Sequence, residues 1–356
     1  MMSLAKLPRA LLRNLTRFEK GRLGVLHHFG DMLDRDGDYW TIVPNRERHA
    51  YRIGDVPMGS REVTTVTIGK EDQHWSRALT LPSLVELTLH EPTHEQLAAI
   101  GELRSVKRLR VTHAKVKTIE FIRGLTAVEE LVLEYVSGFT DLSPLQSLPR
   151  LRALHIENLR RVVDFSGLSG VENLRYLAIN GTLDWKQPID NFKFLRGLPM
   201  LEVLCLWQMI TKQAYPALLP ALSLKKLKKL KLHSSYLATA EYALLEEGLR
   251  GVEGAEWGPH HTVAYRYIAL PPTDIRAHLP ADVIRAKYPE VTVRFDGKRE
   301  IEDPDSRWIE FTGKGERAVK LNSATAETRC REYVARYAAL KQEARRLIDQ
   351  RNGLDT

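Results

Sequence analysis

The stretch His90-Glu91-Pro92-Thr93-His94 satisfies the H-E-x-x-H pattern, in which two histidines hold zinc and the glutamate is base for a metal-bound water. That chemistry requires both imidazoles on one face of a helix. Pro92 lies inside the pattern, where it would remove a helix hydrogen bond and clash with the preceding turn. The expectation is therefore solvent-facing turn residues and no zinc hydrolysis. The pairs His27-His28 and His260-His261 have no further ligand at metal spacing. In "FTGKGER" the glycines Gly313 and Gly315 lack the G-x-x-x-x-G-K-[ST] spacing of a phosphate loop, and a hairpin turn explains them. Cys205 and Cys330 are the two cysteines, too few for a disulfide framework, and both read as structural thiols in a reducing compartment. No Ser/His/Asp or Cys/His set is local. The reading is of a chain with no catalytic residues, no metal ligands and no cofactor, so function must lie in a surface and in the elements that present it.

Those elements announce themselves by repetition. In "FTDLSPLQSLPRLRALHIEN" the residues Leu148, Leu151 and Leu154 are three apart and Ile156 follows after two, a step that belongs to a strand and not to a helix face. The same four-position pattern ends on Leu87-x-Leu89, Leu109-x-Val111, Leu131-x-Leu133, Leu154-x-Ile156, Leu177-x-Ile179, Leu204-x-Leu206 and Leu230-x-Leu232. All 28 positions of these seven copies hold Leu, Val or Ile, although 43% of the chain is hydrophobic, so chance is excluded. The third position advances by 22, 22, 23, 23, 27 and 26 residues. Degenerate outer copies stand at Val63, Val66 and Ile68, and at Leu249, Val252, Ala255 and Trp257.

With Thr140-Asp141-Leu142-Ser143-Pro144-Leu145, and weaker echoes at Ile119-Glu120-Phe121-Ile122, Val163-Asp164-Phe165 and Ile189-Asp190-Asn191-Phe192, this pattern resembles the leucine-rich-repeat family, in particular its short-repeat bacterial and phosphatase-regulator type. The likeness covers roughly residues 62 to 258. One column departs from it: where the family places a ladder of asparagines in the turn, this chain has Pro92, Ala114, Val136, Leu159, Thr182, Met209 and Ser235, so the turn's backbone groups must be satisfied in another way. The resemblance implies an α/β fold, a leucine-rich-repeat solenoid with a curved parallel β-sheet, and a non-enzymatic role in protein binding. Regulation, defence and host-directed roles stay equally open.

The expected organisation is an N-terminal cap over 1–61, the solenoid over 62–258, and a C-terminal α/β cap or small domain over 259–356. The cap should contain a helix from Leu4 to Lys20 and short strands at "DYWTIVP" and "HAYRIG". In the last part, "EVTVRFDG", "RWIEFTG" and "ERAVKLN" read as strands, the last two forming a hairpin. A terminal helix should follow Asn322 or Ser323, with Cys330, Val334, Tyr337, Leu340, Ala344, Leu347 and Ile348 on one face. No run approaches the roughly 20 apolar residues of a membrane helix, and the basic start of the chain lacks a secretory apolar core. A cytoplasmic monomer is expected.

Period two sends the leucines inward and the residues between and beside them onto a concave sheet. Those columns bring together acids (Glu130, Glu134, Glu157), with Tyr135 and His155 beside them, then Tyr176 and Trp207, then Lys229 and Lys231. Aromatics beside ordered charges suit a protein partner, and these nine residues are the candidate contact set. Tyr176 and Trp207 could instead pack under the longer loop "NGTLDWKQPIDNF", and a small-molecule pocket lined by Trp185 or Trp207 could form there. The net charge of +8 is spread along the chain with one exception, "LSLKKLKKLKLHSS", where Lys225, Lys226, Lys228, Lys229 and Lys231 make nucleic-acid backbone binding, together with the basic N-terminal helix, the alternative function.

Overall fold

The computed structural model describes residues 53–294 and 297–354. The expected helix over Leu4–Lys20, the "DYWTIVP" strand and nearly all of the 1–61 cap lie outside them. Two compact units are present, one running up to His233 and including Gly251–Ala255, the other made of Ser234–Arg250 and the chain from Glu256.

In the first unit the repeated leucine columns form strands. They are β1 (Thr65–Gly69), β2 (Glu86–His90), β3 (Arg108–Thr112), β4 (Glu130–Glu134), β5 (Ala153–Glu157), β6 (Tyr176–Asn180), a short β7 (Gln187–Pro188), β8 (Val203–Trp207), a short β9 (Met209–Ile210) and β10 (Lys229–Leu232). Eight of them make one parallel sheet in the order β1-β2-β3-β4-β5-β6-β8-β10, while β7 pairs only with β9. Register is strict: Leu87, Leu109, Leu131, Leu154, Leu177, Leu204 and Leu230 are successive partners. These leucines are buried. Each repeat hides its apolar face against the next, which makes the unit a leucine-rich-repeat solenoid.

Between strands the chain returns through short 3-10 turns and one helix, α1 (His94–Ile100). The Asp141 side chain accepts from the Ser143 backbone N–H at 2.8 Å and Asp164 from Ser166 at 2.9 Å. Asn191 accepts from Lys193 at 3.0 Å. This Asx turn is the physical content of the "TDLSPL" motif, because it supplies an acceptor for a donor that the tight turn leaves open.

The missing asparagine ladder is replaced by backbone. The residue after β2, β3, β4, β5 and β8, namely Glu91, His113, Tyr135, Asn158 and Gln208, adopts a left-handed φ of 46 to 56°. That kink lets its N–H continue the ladder, His113 to the Glu134 carbonyl at 3.0 Å and Tyr135 to that of Glu157 at 2.9 Å. Where the step lengthens to 27, buried Gln187 takes over. Its amide oxygen accepts from the Leu159 N–H at 3.1 Å, and its amide nitrogen donates to the Val162 carbonyl at 2.8 Å.

The last degenerate repeat divides. Glu253 extends the ladder by donating to the Lys228 carbonyl and accepting from the Leu230 N–H, both at 2.8 Å. Trp257 instead meets Tyr242 edge-on, with centroids 5.0 Å apart, inside the second unit.

The second unit holds α2 (Thr239–Gly248), β11 (His260–Ala264), β12 (Tyr267–Ala269), α3 (Ala281–Lys287), β13 (Val291–Val293), β14 (Arg299–Glu302), β15 (Arg307–Phe311), β16 (Val319–Lys320) and α4 (Ala326–Leu354). Two three-stranded antiparallel sheets result, β11-β15-β16 and β12-β14-β13. The expected hairpin of the last two strands is present, with Ile309 opposite Val319. Gly313 and Gly315, at φ 140° and 82°, turn the chain between them. The buried line of α4 runs Ala326, Tyr333, Tyr337, Ala344, and Val334 is 44% exposed. Tyr337 and Ala344 are buried as expected and Val334 is not: Tyr333 takes the buried place beside it, where its hydroxyl finds a buried partner at Thr239, 2.9 Å away. An apolar-only pattern does not foresee this.

Candidate binding face of the repeat sheet

The concave columns are set by register, so side chains on adjacent strands lie side by side about 4.8 Å apart. Charge alternates from strand to strand as a result. Arg108 lies between Glu86, at 3.2 Å, and Glu130, at 3.5 Å. Arg152 reaches Glu130 at 3.1 Å and Glu129 at 3.3 Å, and Glu129 meets Lys107 at 3.4 Å. Deeper on the same face, Arg110 donates to Glu134 through Nε at 3.1 Å and again through Nη2. Farther along, Glu202 is held by Arg175 at 2.7 Å and Lys228 at 2.8 Å. Those two hydrogen bonds drop the Glu202 carboxyl from 4.5 to about 2.

This pairing alters the expected contact set. Glu130, Glu134 and His155 are buried, at 0%, 4% and 2% exposure, so the acids expected to be offered to a partner lie against guanidinium groups of their own sheet. Glu157, Tyr176, Lys229 and Lys231 are half-buried. Tyr135 and Trp207 are exposed, at 37% and 46%. Trp207 is therefore not packed away beneath the long loop.

Rings hold both exposed aromatics in place. Tyr135 stacks on His113 at 4.7 Å and 4°, and His113 meets His90 edge-on at 5.3 Å. Trp207 meets the exposed His233 edge-on at 5.8 Å. Burial and the neighbouring Glu157 and Glu134 carboxylates push the Tyr135 phenol upward, so it stays a hydrogen-bond donor at neutral pH. His113 was missed in the sequence. Its signal was its place directly after a strand, the left-handed column shared with Tyr135.

Of the apparent zinc motif, His90 is half-buried at the end of β2, with Nδ1 2.8 Å from the Thr112 hydroxyl. Burial lowers its pKa. His94 opens α1 behind the Thr93 cap, which accepts from the Gln96 N–H, so the two imidazoles stand on different elements. One other donor set is close: single ligand atoms of Glu134, His155 and Glu157 lie within 4.8 Å of one another. An imidazole and two carboxylates match a small divalent cation, but Glu134 already carries the Arg110 guanidinium and the trio reads as part of the charge lattice.

The lysine cluster is also largely engaged. Besides Lys228 on Glu202, Lys229 meets Glu253 at 2.7 Å and Lys226 Nζ lies 3.0 Å from the Met200 sulfur. Among the described residues no helix is long and apolar enough to cross a membrane.

No protein-family model matches the sequence, and no curated protein does. The chain is similar in structure to internalin C2 of Listeria monocytogenes, at 23% identity and a TM-score of 0.38 over 47% of this chain and 70% of that one. It is also similar to a leucine-rich-repeat protein of Leptospira interrogans, at 15% identity and a TM-score of 0.31 over 59% of this chain and 61% of that one.

Proposed function

We propose that the repeat unit is a non-enzymatic scaffold that binds a folded protein through the strip carrying Tyr135, Glu157 and Trp207. The observation that carries this reading is the exposure of two large aromatics, each held by a neighbouring ring, on a sheet whose charges are already paired. Exposed Trp and Tyr on a rigid support are what interface hot spots use, since they supply contact area at little ordering cost. Glu157, half-buried beside Tyr135, and Lys231 on β10 then select orientation at the rim. The buried pairs Arg110–Glu134 and Arg152–Glu130 contribute by keeping the sheet preformed.

The test is nuclease-treated affinity capture from native lysate with wild type and a Tyr135→Ala/Trp207→Ala variant. Proteins held by wild type and lost by the variant support the reading. Equal capture by both would remove recognition from this strip.

A further inference from the structure

Outside the paired lattice, one group of cations has no acidic counterpart. Lys115, Lys117, Arg160 and Arg161 line a single open pocket of about 550 Å³ at the end of the sheet to which the strands run. None of the four carries a carboxylate partner among the described residues, and no Asp or Glu lines the pocket. Arg160 is steadied by the Asn158 side chain, whose oxygen lies 3.4 Å from its Nε. The repeat itself gathers these groups. Lys115, Ser137 and Arg160 each stand two residues beyond a left-handed turn residue, and Lys115 bridges to Ser137 on the neighbouring repeat. Gly138, at φ 105°, lets the chain press so close to Val116 that any side chain there would strike the Val116 carbonyl.

A second pocket of about 290 Å³ adjoins the first, sharing His94, Val116 and Lys117 with it. Its remaining walls are mainly apolar, with Leu97 and the half-buried ring of Phe121. Four like charges around one cavity repel each other unless an anion sits among them. Arginine and lysine together are the usual phosphate-binding side chains, arginine by its planar fork and lysine as a point charge. A ring compartment next to a phosphate compartment fits a ligand that carries both a phosphate and a planar base.

We propose that these adjoining pockets form a nucleotide-phosphate site, with phosphoryl oxygens on Lys115, Lys117, Arg160 and Arg161 and the base against Phe121 and Leu97. Neither Tyr135 nor Trp207 lines either pocket, and the site stands whether or not their strip binds protein. The ligand is either a free nucleotide or a nucleotide within a single strand, and one experiment separates them.

Titration calorimetry on the full chain at about 0.15 M salt, where long-range attraction is largely screened, would use AMP, adenosine, inorganic phosphate and a ten-residue oligoadenylate. AMP should bind saturably, with adenosine and phosphate each weaker by about tenfold or more, since each lacks half of the contacts. Lys117→Ala/Arg160→Ala should weaken AMP by about tenfold or more. Phe121→Ala should weaken AMP and leave inorganic phosphate unchanged. Lys225→Ala/Lys226→Ala should change nothing. Oligoadenylate binding about tenfold tighter than AMP would assign the site to a strand, and equal affinity to the free nucleotide. The proposal is overturned if neither AMP nor the oligonucleotide binds at millimolar concentration. It is equally overturned if the Lys117/Arg160 variant, shown folded by circular dichroism, binds like wild type, or if the Lys225/Lys226 variant loses as much. Arg160→Gln, which keeps the side chain's bulk, provides a milder second reading of the same point.

Discussion

Both units hold carboxylates with guanidinium groups, but over different lengths of chain and at different depths. In the repeat sheet the partners are 22 to 27 residues apart, one repeat, as in Arg108–Glu86 and Arg175–Glu202. In the second unit Glu246 and Glu247 of α2 reach Tyr337, Lys341 and Arg345 of α4, which are 91 to 98 residues away. The Arg110 side chain in the sheet is 1% exposed, whereas that of Arg345 on α4 is 56% exposed. A repeat thus brings opposite charges together with little loop to close and fixes them on stiff strands, while two helices must be docked before their charges meet. Pairs of the first kind should set stability, and pairs of the second kind should respond to salt.

The largest effect should come from Arg110→Ala. Removing one partner leaves the Glu134 carboxylate buried without its counter-ion, and the expected loss is about 3–5 kcal/mol in chemical denaturation of the first unit. The comparison sharpens with Arg110→Met/Glu134→Leu, which removes both charges and should recover most of that loss. If the single and double variants are equally destabilised, the pair's charge is not what matters there and packing is.

Next in size is Gln187→Ala. Its amide serves both Leu159 and Val162, so truncation strands buried backbone groups at about 1–3 kcal/mol in all. Hydrogen exchange at the Leu159 amide, whose N–H loses its acceptor, should rise locally while that of β3 stays unchanged. Uniform acceleration across the sheet would show that the long loop is coupled to the whole solenoid instead.

These two residues also mark what could be read from the sequence. The strands, their register and the inward leucines followed from seven copies of one pattern, because apolar burial repeats wherever the spacing does. The alternating charges are visible in the same columns, but a column pattern does not say that neighbouring strands neutralise one another, and so it places Glu130, Glu134 and His155 on the face offered to a partner. Gln187 lies where the period breaks and no column predicts it. In the second unit, strands and hairpin were legible from local patterning, as were Tyr337 and Ala344 on the buried side of α4, whereas Tyr333 in place of Val334 was not, because its hydroxyl chooses its partner from α2, 94 residues away. The cationic pocket escaped because Lys115 and Arg160 are two repeats apart and meet only in register.

A smaller effect is expected from acid. Glu202 in the sheet and Glu247 on α2 both titrate near 2 instead of 4.5, Glu202 through Arg175 and Lys228, Glu247 through Arg345 first and then Arg250 and Lys341. A carboxylate whose folded pKa is depressed stabilises the fold above its unfolded pKa, and that contribution is lost as pH falls from about 4.5 to about 2. Glu202→Gln should flatten the acid slope for β8 peptides, and Glu247→Gln that for α2 peptides, in hydrogen exchange stepped from pH 6 to pH 2.5. If either variant flattens both slopes, the two units unfold as one under acid.

The smallest effect should come from Arg345→Ala. Its guanidinium donates to Glu247 through Nε at 2.7 Å, but Lys341 stands 3.1 Å from the same carboxylate and Arg250 also reaches it, so the buried acid keeps counter-ions after the substitution. The alanine variant is also spared the entropy cost of ordering a long exposed side chain. The expected loss is small at low salt and shrinks further at about 1 M salt, where the screening length falls to roughly 3 Å. The contrast with Arg110→Ala is the point of the measurement, since that buried pair should keep its full effect at high salt. An Arg345→Ala loss that is large and indifferent to salt would mean that the α2–α4 joint behaves like the interior of the sheet. Depth of burial would then have to give way, as the explanation, to the number of hydrogen bonds each carboxylate accepts.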